Sequence, residues 1–139
     1  MSQKVIKTII STSKTYKPVG PYSQAILADK TLYVSGILGA DPNAKLVPGG
    51  AGPQAKQALD NLTHILAAGG ASLESVVKTT ILLANIDDFV EVNKIYGQYF
   101  TKNNPARSTY QVAKLPMGAA VEIEAIALSG DLTVTEKKD

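Results

Sequence analysis

The chain has 139 residues, of which 45% are hydrophobic and 19% are charged, a composition typical of one globular domain rather than a disordered chain. It holds no Cys and one His, which excludes disulfides, thiolate metal sites, Cys nucleophiles and His-rich metal sites. Its 14 basic and 12 acidic residues give a net charge of +2 and are scattered, so charge gives little support for nucleic-acid binding. Carboxylates, Arg, Lys, Tyr, hydroxyls and backbone amides remain for catalysis.

The same composition sets expectations about location. No apolar run reaches the roughly 18 to 20 residues that a membrane span needs. The N-terminal apolar stretch is too short for a secretory signal, and no small-residue cleavage site follows it. We therefore expect a cytoplasmic protein with no membrane contact, and a mitochondrial or nuclear pool stays open.

In the first third of the chain, β-rich runs alternate with turn residues. Asp29-Lys30 fits a two-residue hairpin turn. The segment 41–53 holds three Pro and three Gly, so we expect a loop there that leads into a helix. The predicted strands of this region are 5–11, 24–28 and 31–35.

Two amphipathic helices are predicted in the rest of the chain. Apolar residues recur at helical spacing from Gln54 to Ala68, and Gly69 ends that helix. Asp88 and Glu91 have the spacing of a capping box at the start of a second helix, which ends near Lys102. The predicted strands of this region are 76–83, 107–113 and 120–129.

This element order, β-β-α-β-α-β-β with an extra N-terminal strand, predicts an α+β fold with two helices packed on one face of a mixed sheet. We expect one domain over 1–139, with flexible ends at 1–4 and 131–139. Two helices cannot cover both faces of the sheet, so a homo-oligomer with sites at or near its interfaces is expected. We expect that one chain cannot cover all of these strand residues: Tyr33, Val34, Val121, Ile123 and Ile126.

Arg107, Glu122 and Glu124 are the candidates for chemistry. Arg107 follows Pro105 at the start of a strand, where a rigid turn would direct it and its guanidinium could clamp a carboxylate bidentately. An ordinary surface Arg is the alternative. Glu122 and Glu124 share one face of a period-2 strand. If that face is solvated, both are ordinary polar surface residues. If a neighbouring subunit covers the face, burial would raise the pKa of one of these carboxyls into the range of a catalytic base.

An ordered set of motifs is spread over about 6–128. The segments are Gly20-Pro21-Tyr22-Ser23-Gln24, Tyr33-Val34-Ser35-Gly36, Val77-Lys78-Thr79-Thr80, Asp88-Phe89-x-x-Val92-Asn93, Pro105-Ala106-Arg107-Ser108, Val112-Ala113-Lys114-Leu115-Pro116 and Val121-Glu122-Ile123-Glu124-Ala125-Ile126-Ala127. Any one of these segments is a weak signal, but the ordered set is specific, and it resembles the RidA family of reactive intermediate imine/enamine deaminases.

The resemblance implies a chorismate-mutase-like subunit that assembles as a homotrimer with clefts between neighbouring subunits. It also implies an activity, the hydrolysis of 2-imino acids such as 2-iminobutanoate and 2-iminopropanoate to 2-keto acids and ammonia. A protonated imine is already electrophilic, so this reaction requires no cofactor, metal or covalent nucleophile. Small 2-imino and 2-keto acids are the implied ligands.

Site residues follow from the same resemblance. It implies that Arg107 binds the substrate carboxylate, helped by the backbone at Gly36, and that Glu122 positions or activates water. Tyr22 lines the cleft, and Ser35 and Asn93 are nearby polar members.

The chain departs from the family pattern at two positions. Thr109 stands where many bacterial members have Cys, and its hydroxyl is expected to replace the thiol's hydrogen bond. Ile37 stands where Gln is usual, which is expected to make the pocket more apolar. Substrate preference is the property that we expect these two differences to affect most.

Two other functions stay open. Ribonuclease or translation-inhibitor activity is also ascribed to members of the family, but this sequence gives RNA little independent support, and its one His, His64, is expected on the polar side of a helix. A chaperone-like trimer that captures small carboxylates would keep Arg107 and have no need of Glu122.

Overall fold

The computed structural model describes residues 3–139 and shows a six-stranded mixed sheet with two α-helices. The strands run in the order β1-β2-β3-β6-β4-β5, and every neighbouring pair is antiparallel except the parallel pair β4–β5. The elements are β1 (Lys7–Ile10), β2 (Ala25–Ala28), β3 (Thr31–Leu38), α1 (Ala51–Ala68), β4 (Val76–Leu83), α2 (Phe89–Tyr99), β5 (Ala106–Gln111) and β6 (Val121–Leu128). The predicted α+β fold is confirmed.

Both helices pack on one face of the sheet, as predicted. Helix α1 buries Leu59, Leu62 and Leu66 completely, and it packs on β3, β6 and α2. It begins three residues earlier than predicted. Its N-terminal neighbour Gly50 adopts a φ of 86°, which glycine allows without steric cost, and Pro53 is tolerated in the first turn because the N–H groups there lack helical partners.

The start of α2 differs from the prediction. Asp88 makes no side-chain capping hydrogen bond, so the predicted capping box is absent. A short 3₁₀ turn (Ile86–Asp88) precedes the helix instead, and the Asn85 side chain accepts a hydrogen bond from the backbone N–H of Asp87 at 2.9 Å. Asn85 therefore satisfies a backbone donor at the entrance to the helical segment, and the i, i+3 spacing of Asp88 and Glu91 was misleading.

Strand β6 divides its residues cleanly between the two faces. Val121 and Ile123 are fully buried under the helices, whereas Glu122 is half-buried and Glu124 exposed on the opposite face, which we call the open face. Val34, Val121 and Ile123 point to the helix side and are buried, whereas Tyr33 stays 51% exposed, so the five strand residues are not all covered within one chain, as expected. Of these five residues, only Tyr33 and Ile126 lie on the open face.

Strand β3 is longer than predicted and contains a bulge. Its pairing with β6 runs from Thr31 to Val34 and resumes at Ile37, with one residue more on β3 than on β6 between these points. Ser35 and Gly36 occupy this irregular stretch, so the bulge lies within a predicted site segment.

The C-terminal end of the chain has no regular secondary structure after β6. Residues 1 and 2 lie outside the described part of the chain, so the expectation for 1–4 is open there. Residues 131–139 form no helix or strand. Flexible ends and a single-domain organisation stay predictions.

Candidate active site

The first group of predicted site residues lies on the open face around Glu122. Tyr22, Ser35, Gly36 and Glu122 line one cavity of about 290 Å³. Val19, Leu38 and Pro116 complete its wall. Four of the seven predicted site residues are therefore neighbours, although they come from a loop, the bulge of β3 and strand β6.

Hydrogen bonds to nearby backbone groups hold Tyr22 and Ser35 in place. The Tyr22 hydroxyl accepts a hydrogen bond from the Val19 N–H at 3.3 Å, and the Tyr22 N–H donates to the Gly20 carbonyl at 2.8 Å, so the ring folds back on its own loop. The Ser35 hydroxyl donates to the Ser23 carbonyl at 2.6 Å. Ser35 thus ties the bulge of β3 to the Tyr22 loop, and Tyr22 keeps 43% of its surface exposed at the cavity.

Gly36 gives Glu122 the space it occupies. A Cβ atom built on Gly36 would overlap Oε1 and Cδ of Glu122, so the carboxylate lies directly against the glycine backbone. Burial raises the pKa of Glu122 above its ordinary value, and the neighbouring Glu124 carboxylate raises it further. No ion pair among residues 3–139 involves Glu122. Its charge is therefore poorly compensated, which makes it a better proton acceptor than an exposed glutamate.

The second group lies on the helix face around Arg107. The Arg107 guanidinium carbon lies 4.7 Å from the centre of the Tyr96 ring and 5.7 Å from the centre of the Phe89 ring, both on α2. Cation–π contacts of this kind contribute about 0.5 to 2 kcal/mol and fix the plane of the guanidinium. The Tyr96 hydroxyl is in turn hydrogen-bonded to Thr79 Oγ1 at 2.8 Å, and Thr79 is the β4 register partner of Arg107.

Arg107 is free to bind an anion. None of the ion pairs within 3–139 includes it, so its donors face no carboxylate of its own chain. Asn93 is exposed on α2 between Phe89 and Tyr96, at the i+4 and i−3 positions that place it on the same side of the helix. The Asn93 amide therefore lies on the same side of α2 as the two aromatic rings that contact the Arg107 guanidinium.

Thr109 belongs to this second group. It follows Arg107 by two residues on β5, so both side chains are on one face of the strand. Its Oγ1 atom is buried and is the one side-chain polar atom of this kind in the described chain that has no hydrogen-bond partner. A buried hydroxyl without a partner is costly, so it is a strong candidate to contact a ligand.

The structure does not bring Arg107 and Glu122 together within one chain. Arg107 pairs with Thr79, which faces the helices, and Glu122 pairs with Leu82 on β4 and faces the other way. The predicted residues therefore form two half-sites on opposite faces: Tyr22, Ser35, Gly36 and Glu122 in one, and Asn93, Arg107 and Thr109 in the other.

Two observations change the sequence-based interpretation of other residues. Ile37 is 3% exposed and does not reach the open cavity, but it lines a small second cavity with Tyr22 and Gly36. Phe89 and Tyr96 lie against the Arg107 guanidinium, a contact that the amphipathic pattern of the second helix did not predict. Their i, i+7 repeat beside Asn93 was the available signal.

Other groups lie apart from both half-sites. His64 is exposed on α1, as predicted. Within 3–139, no three His, Asp or Glu side chains are grouped so as to hold a metal ion.

In the described residues, no helix is long and apolar enough to cross a membrane.

Comparisons with known proteins place the chain in a family. The family model described as Endoribonuclease L-PSP matches residues 12–129. The human 2-iminobutanoate/2-iminopropanoate deaminase is 55% identical over 130 residues, which are 93% of this chain and 95% of the human protein. The crystal structure of RidA from an Antarctic Psychrobacter has a TM-score of 0.84 and 40% identity, and it covers 87% of this chain and 98% of that one. The structure of Escherichia coli TdcF with bound serine has a TM-score of 0.84 and 32% identity, with 88% and 99% of the two chains covered. The chain therefore belongs to the Endoribonuclease L-PSP family, which is the RidA family that its motifs resemble.

Proposed function

We propose that the protein is a 2-iminobutanoate/2-iminopropanoate deaminase, a hydrolase of C–N bonds that converts reactive 2-imino acids to 2-keto acids and ammonia. The identity of 55% over most of both chains to the human protein of that name supports this assignment. The observation that carries it in the structure is the pair of half-sites, an unpaired Arg107 on an aromatic platform and a desolvated Glu122 in an open cavity.

Arg107 binds the substrate carboxylate in this proposal. A guanidinium offers two parallel N–H donors that match the two carboxylate oxygens, and Tyr96 and Phe89 fix its plane. Asn93 and Thr109 Oγ1 supply further polar contacts beside it. The substrate is thereby oriented by the end that does not react, which places its C=N carbon at a constant position.

Glu122 acts on water. The water oxygen attacks the carbon of the protonated imine while a proton passes from water to the Glu122 carboxylate, which gives a neutral carbinolamine. The proton then moves from Glu122 to the amino nitrogen. As the C–N bond breaks and ammonia leaves, the carbinolamine hydroxyl gives its proton to the Glu122 carboxylate and the keto group forms. The raised pKa of Glu122 favours the first proton transfer, since the carboxylate is a stronger base than usual. Tyr22, Ser35 and the Gly36 backbone shape the cavity around this step.

We propose that two neighbouring subunits of a homotrimer form each site. Arg107 and Glu122 lie on opposite faces of the sheet, so one chain cannot present both to a small acid. The open face also carries exposed apolar side chains that a second copy would cover. They are Tyr33, Val77, Tyr110 and Leu128.

Arg107 variants test the function. Clearance of 2-iminobutanoate, generated in situ by a threonine dehydratase and followed by semicarbazide trapping, should fall by about 10²-fold or more in Arg107→Ala, because charge-assisted hydrogen bonds are lost. Arg107→Lys should recover only a small part of the activity, since an ammonium cannot bind bidentately. Lys56→Ala, which removes an exposed cation of α1, is the matched control and should clear imine normally. Wild-type protein that leaves the clearance rate unchanged would contradict the proposal.

Ribonuclease activity is a second candidate, favoured by the description of the matching family model. Cleavage of an RNA substrate that survives size-exclusion chromatography and is lost in Glu122→Gln would assign it to the same cavity. Cleavage that persists in both Arg107→Ala and Glu122→Gln would place it elsewhere, and loss on further purification would identify a contaminant.

The proposed compartment is the cytoplasm. Co-fractionation of the protein with a cytosolic marker enzyme would support this location, and sedimentation with organelles would contradict it.

A further inference from the structure

Tyr16 is an unusual residue because it is 7% exposed although it belongs to neither a helix nor a strand. The loop that carries it, between β1 and β2, is held by the Gln24 side chain. Gln24 Nε2 donates to Thr15 Oγ1 at 2.9 Å and to the Tyr16 carbonyl at 3.0 Å. A buried tyrosine hydroxyl normally needs a hydrogen-bond partner. The loop therefore delivers the phenol to a defined position in the interior.

The partner of the Tyr16 hydroxyl is the end of β3. The backbone N–H of Leu38 donates to the Tyr16 hydroxyl at 2.9 Å, in a buried environment. Leu38 is the second residue after the irregular stretch of β3, in which one extra residue lies between Val34 and Ile37. Bulges interrupt the regular ladder and redirect the strand, and a side chain that binds the backbone beside a bulge fixes its shape.

That bulge holds the residues nearest to Glu122. Gly36 lies within it, with no room for a Cβ atom beside the Glu122 carboxylate, and Leu38 is the β3 register partner of Glu122. Tyr16 also lines a second, small cavity together with Tyr22 and Gly36. Burial raises the pKa of Tyr16, the hydrogen bond from the Leu38 N–H lowers it by less, and smaller effects of Tyr22 and Glu122 raise it. Tyr16 therefore stays neutral beside Glu122.

We propose that Tyr16 is a positioning residue for Glu122, whose hydroxyl anchors the bulge of β3 against that carboxylate. This inference rests on the proposed deaminase function, but it concerns a residue that touches neither substrate nor water. Without the hydroxyl, the Leu38 N–H would be buried with no partner, and the strand end would shift to find one. Gly36 would then move from the carboxylate, and the water that Glu122 orients would be misplaced.

Tyr16→Phe tests this role through kinetics. We expect kcat for imine hydrolysis to fall by about ten- to a hundredfold, because small misplacements of catalytic groups have effects of that size. KM should change by less than about twofold, since Arg107 and its aromatic platform are untouched. Tyr99→Phe is the matched control, because it also removes a hydroxyl, one that donates to Asp60 Oδ1 at 2.5 Å between the two helices. It should leave kcat unchanged.

A double-mutant cycle separates positioning from general destabilisation. On a Glu122→Gln background, Tyr16→Phe should lower the residual kcat by less than about twofold, because its effect passes through the carboxylate that is now absent. Equal losses on both backgrounds, a loss confined to KM, or no loss in Tyr16→Phe would each overturn the inference.

A measurement without turnover distinguishes this inference from the proposed function. The Glu122 carboxyl can be titrated by ¹³C NMR in the assembled protein, where Glu124 is the charged group that raises its pKa and Tyr22 lines the same cavity. In Tyr16→Phe the midpoint should move down toward the ordinary value, as the loosened carboxylate becomes hydrated. If the midpoint is unchanged in Tyr16→Phe, the positioning role of Tyr16 is wrong, even when the wild type hydrolyses imines. If the midpoint shifts but the wild type hydrolyses no imine, the positioning role is supported and the proposed deaminase function is wrong.

Discussion

At the residue scale, the environment of Glu122 sets the pH range in which the site can use a carboxylate base. Burial, and to a lesser extent Glu124, raise its pKa, so the carboxylate forms at a higher pH than in an exposed glutamate. We expect the acidic limb of the kcat–pH profile to lie above the ordinary glutamate range. Glu124→Gln should move this limb slightly to lower pH, and Glu122→Gln should abolish it together with most of the activity. A limb that survives in Glu122→Gln would assign the base to another group.

The same shift predicts how stability depends on pH. Because the folded state raises the pKa of Glu122, it holds the proton more tightly than the unfolded chain. Stability is therefore lost as the pH rises from the unfolded pKa through the folded pKa, and the loss is complete above the latter. Glu122→Gln should melt at the same temperature as the wild type at low pH and at a higher temperature at neutral pH. Equal melting temperatures at both pH values in thermal unfolding would contradict this prediction.

Thr109 offers a second prediction at this scale. Its buried Oγ1 has no partner in the described chain, so replacement by the similarly shaped Val should raise stability by about 1 kcal/mol. If the hydroxyl binds substrate, KM for 2-iminobutanoate should rise by about five- to tenfold in the same variant. Thr8→Val, on the exposed edge strand β1, is the control for both measurements. If Thr109→Val is more stable and its KM is unchanged, the Thr109 hydroxyl does not contact the substrate.

At the element scale, the bulge of β3 decides where the Glu122 carboxylate can lie. In Gly36→Ala the new methyl group would overlap Oε1 and displace the flexible side chain, while the strand itself can stay in place. We expect kcat to fall by about tenfold or more, with a melting temperature close to that of the wild type. Gly97→Ala, on α2 with open space around its Cα, should instead stabilise the helix by about 0.5 to 1 kcal/mol and leave kcat unchanged. Full activity in Gly36→Ala would show that the carboxylate position is not critical.

The elements also show how far sequence patterns can predict such a site. The alternation of β6 predicted that Glu122 and Glu124 share a face, because period 2 is a local property of a strand. The bulge at Ser35 and Gly36 was not predicted, since it depends on the register between β3 and the distant β6. The support of Arg107 by Phe89 and Tyr96 was missed for the same reason. The repeat of apolar residues along a helix or strand shows which side of that element a residue is on. It does not show which other element packs against that side.

At the scale of the whole molecule, the chain places the two proposed kinds of catalytic group on opposite faces of one sheet. Arg107 lies under α2 near the β5 edge, and Glu122 lies on the open face beside the bulge of β3. Local sequence patterns predicted both residues, and only the register through β4 shows that they point apart. In the proposed homotrimer, the Arg107 half-site of one subunit would meet the Glu122 half-site of its neighbour.

Mixing two inactive variants tests this arrangement. Arg107→Ala and Glu122→Gln subunits, combined at equal amounts by unfolding and refolding together, should regain about a quarter of the wild-type activity, because about a quarter of neighbouring pairs supply both groups. Wild type mixed equally with the double variant should give about the same quarter. If both groups acted from one subunit, the first mixture would stay inactive and the second would keep about half of the activity. Size-exclusion chromatography with light scattering on each mixture would check that the variants assemble to the same mass as the wild type, which the comparison requires.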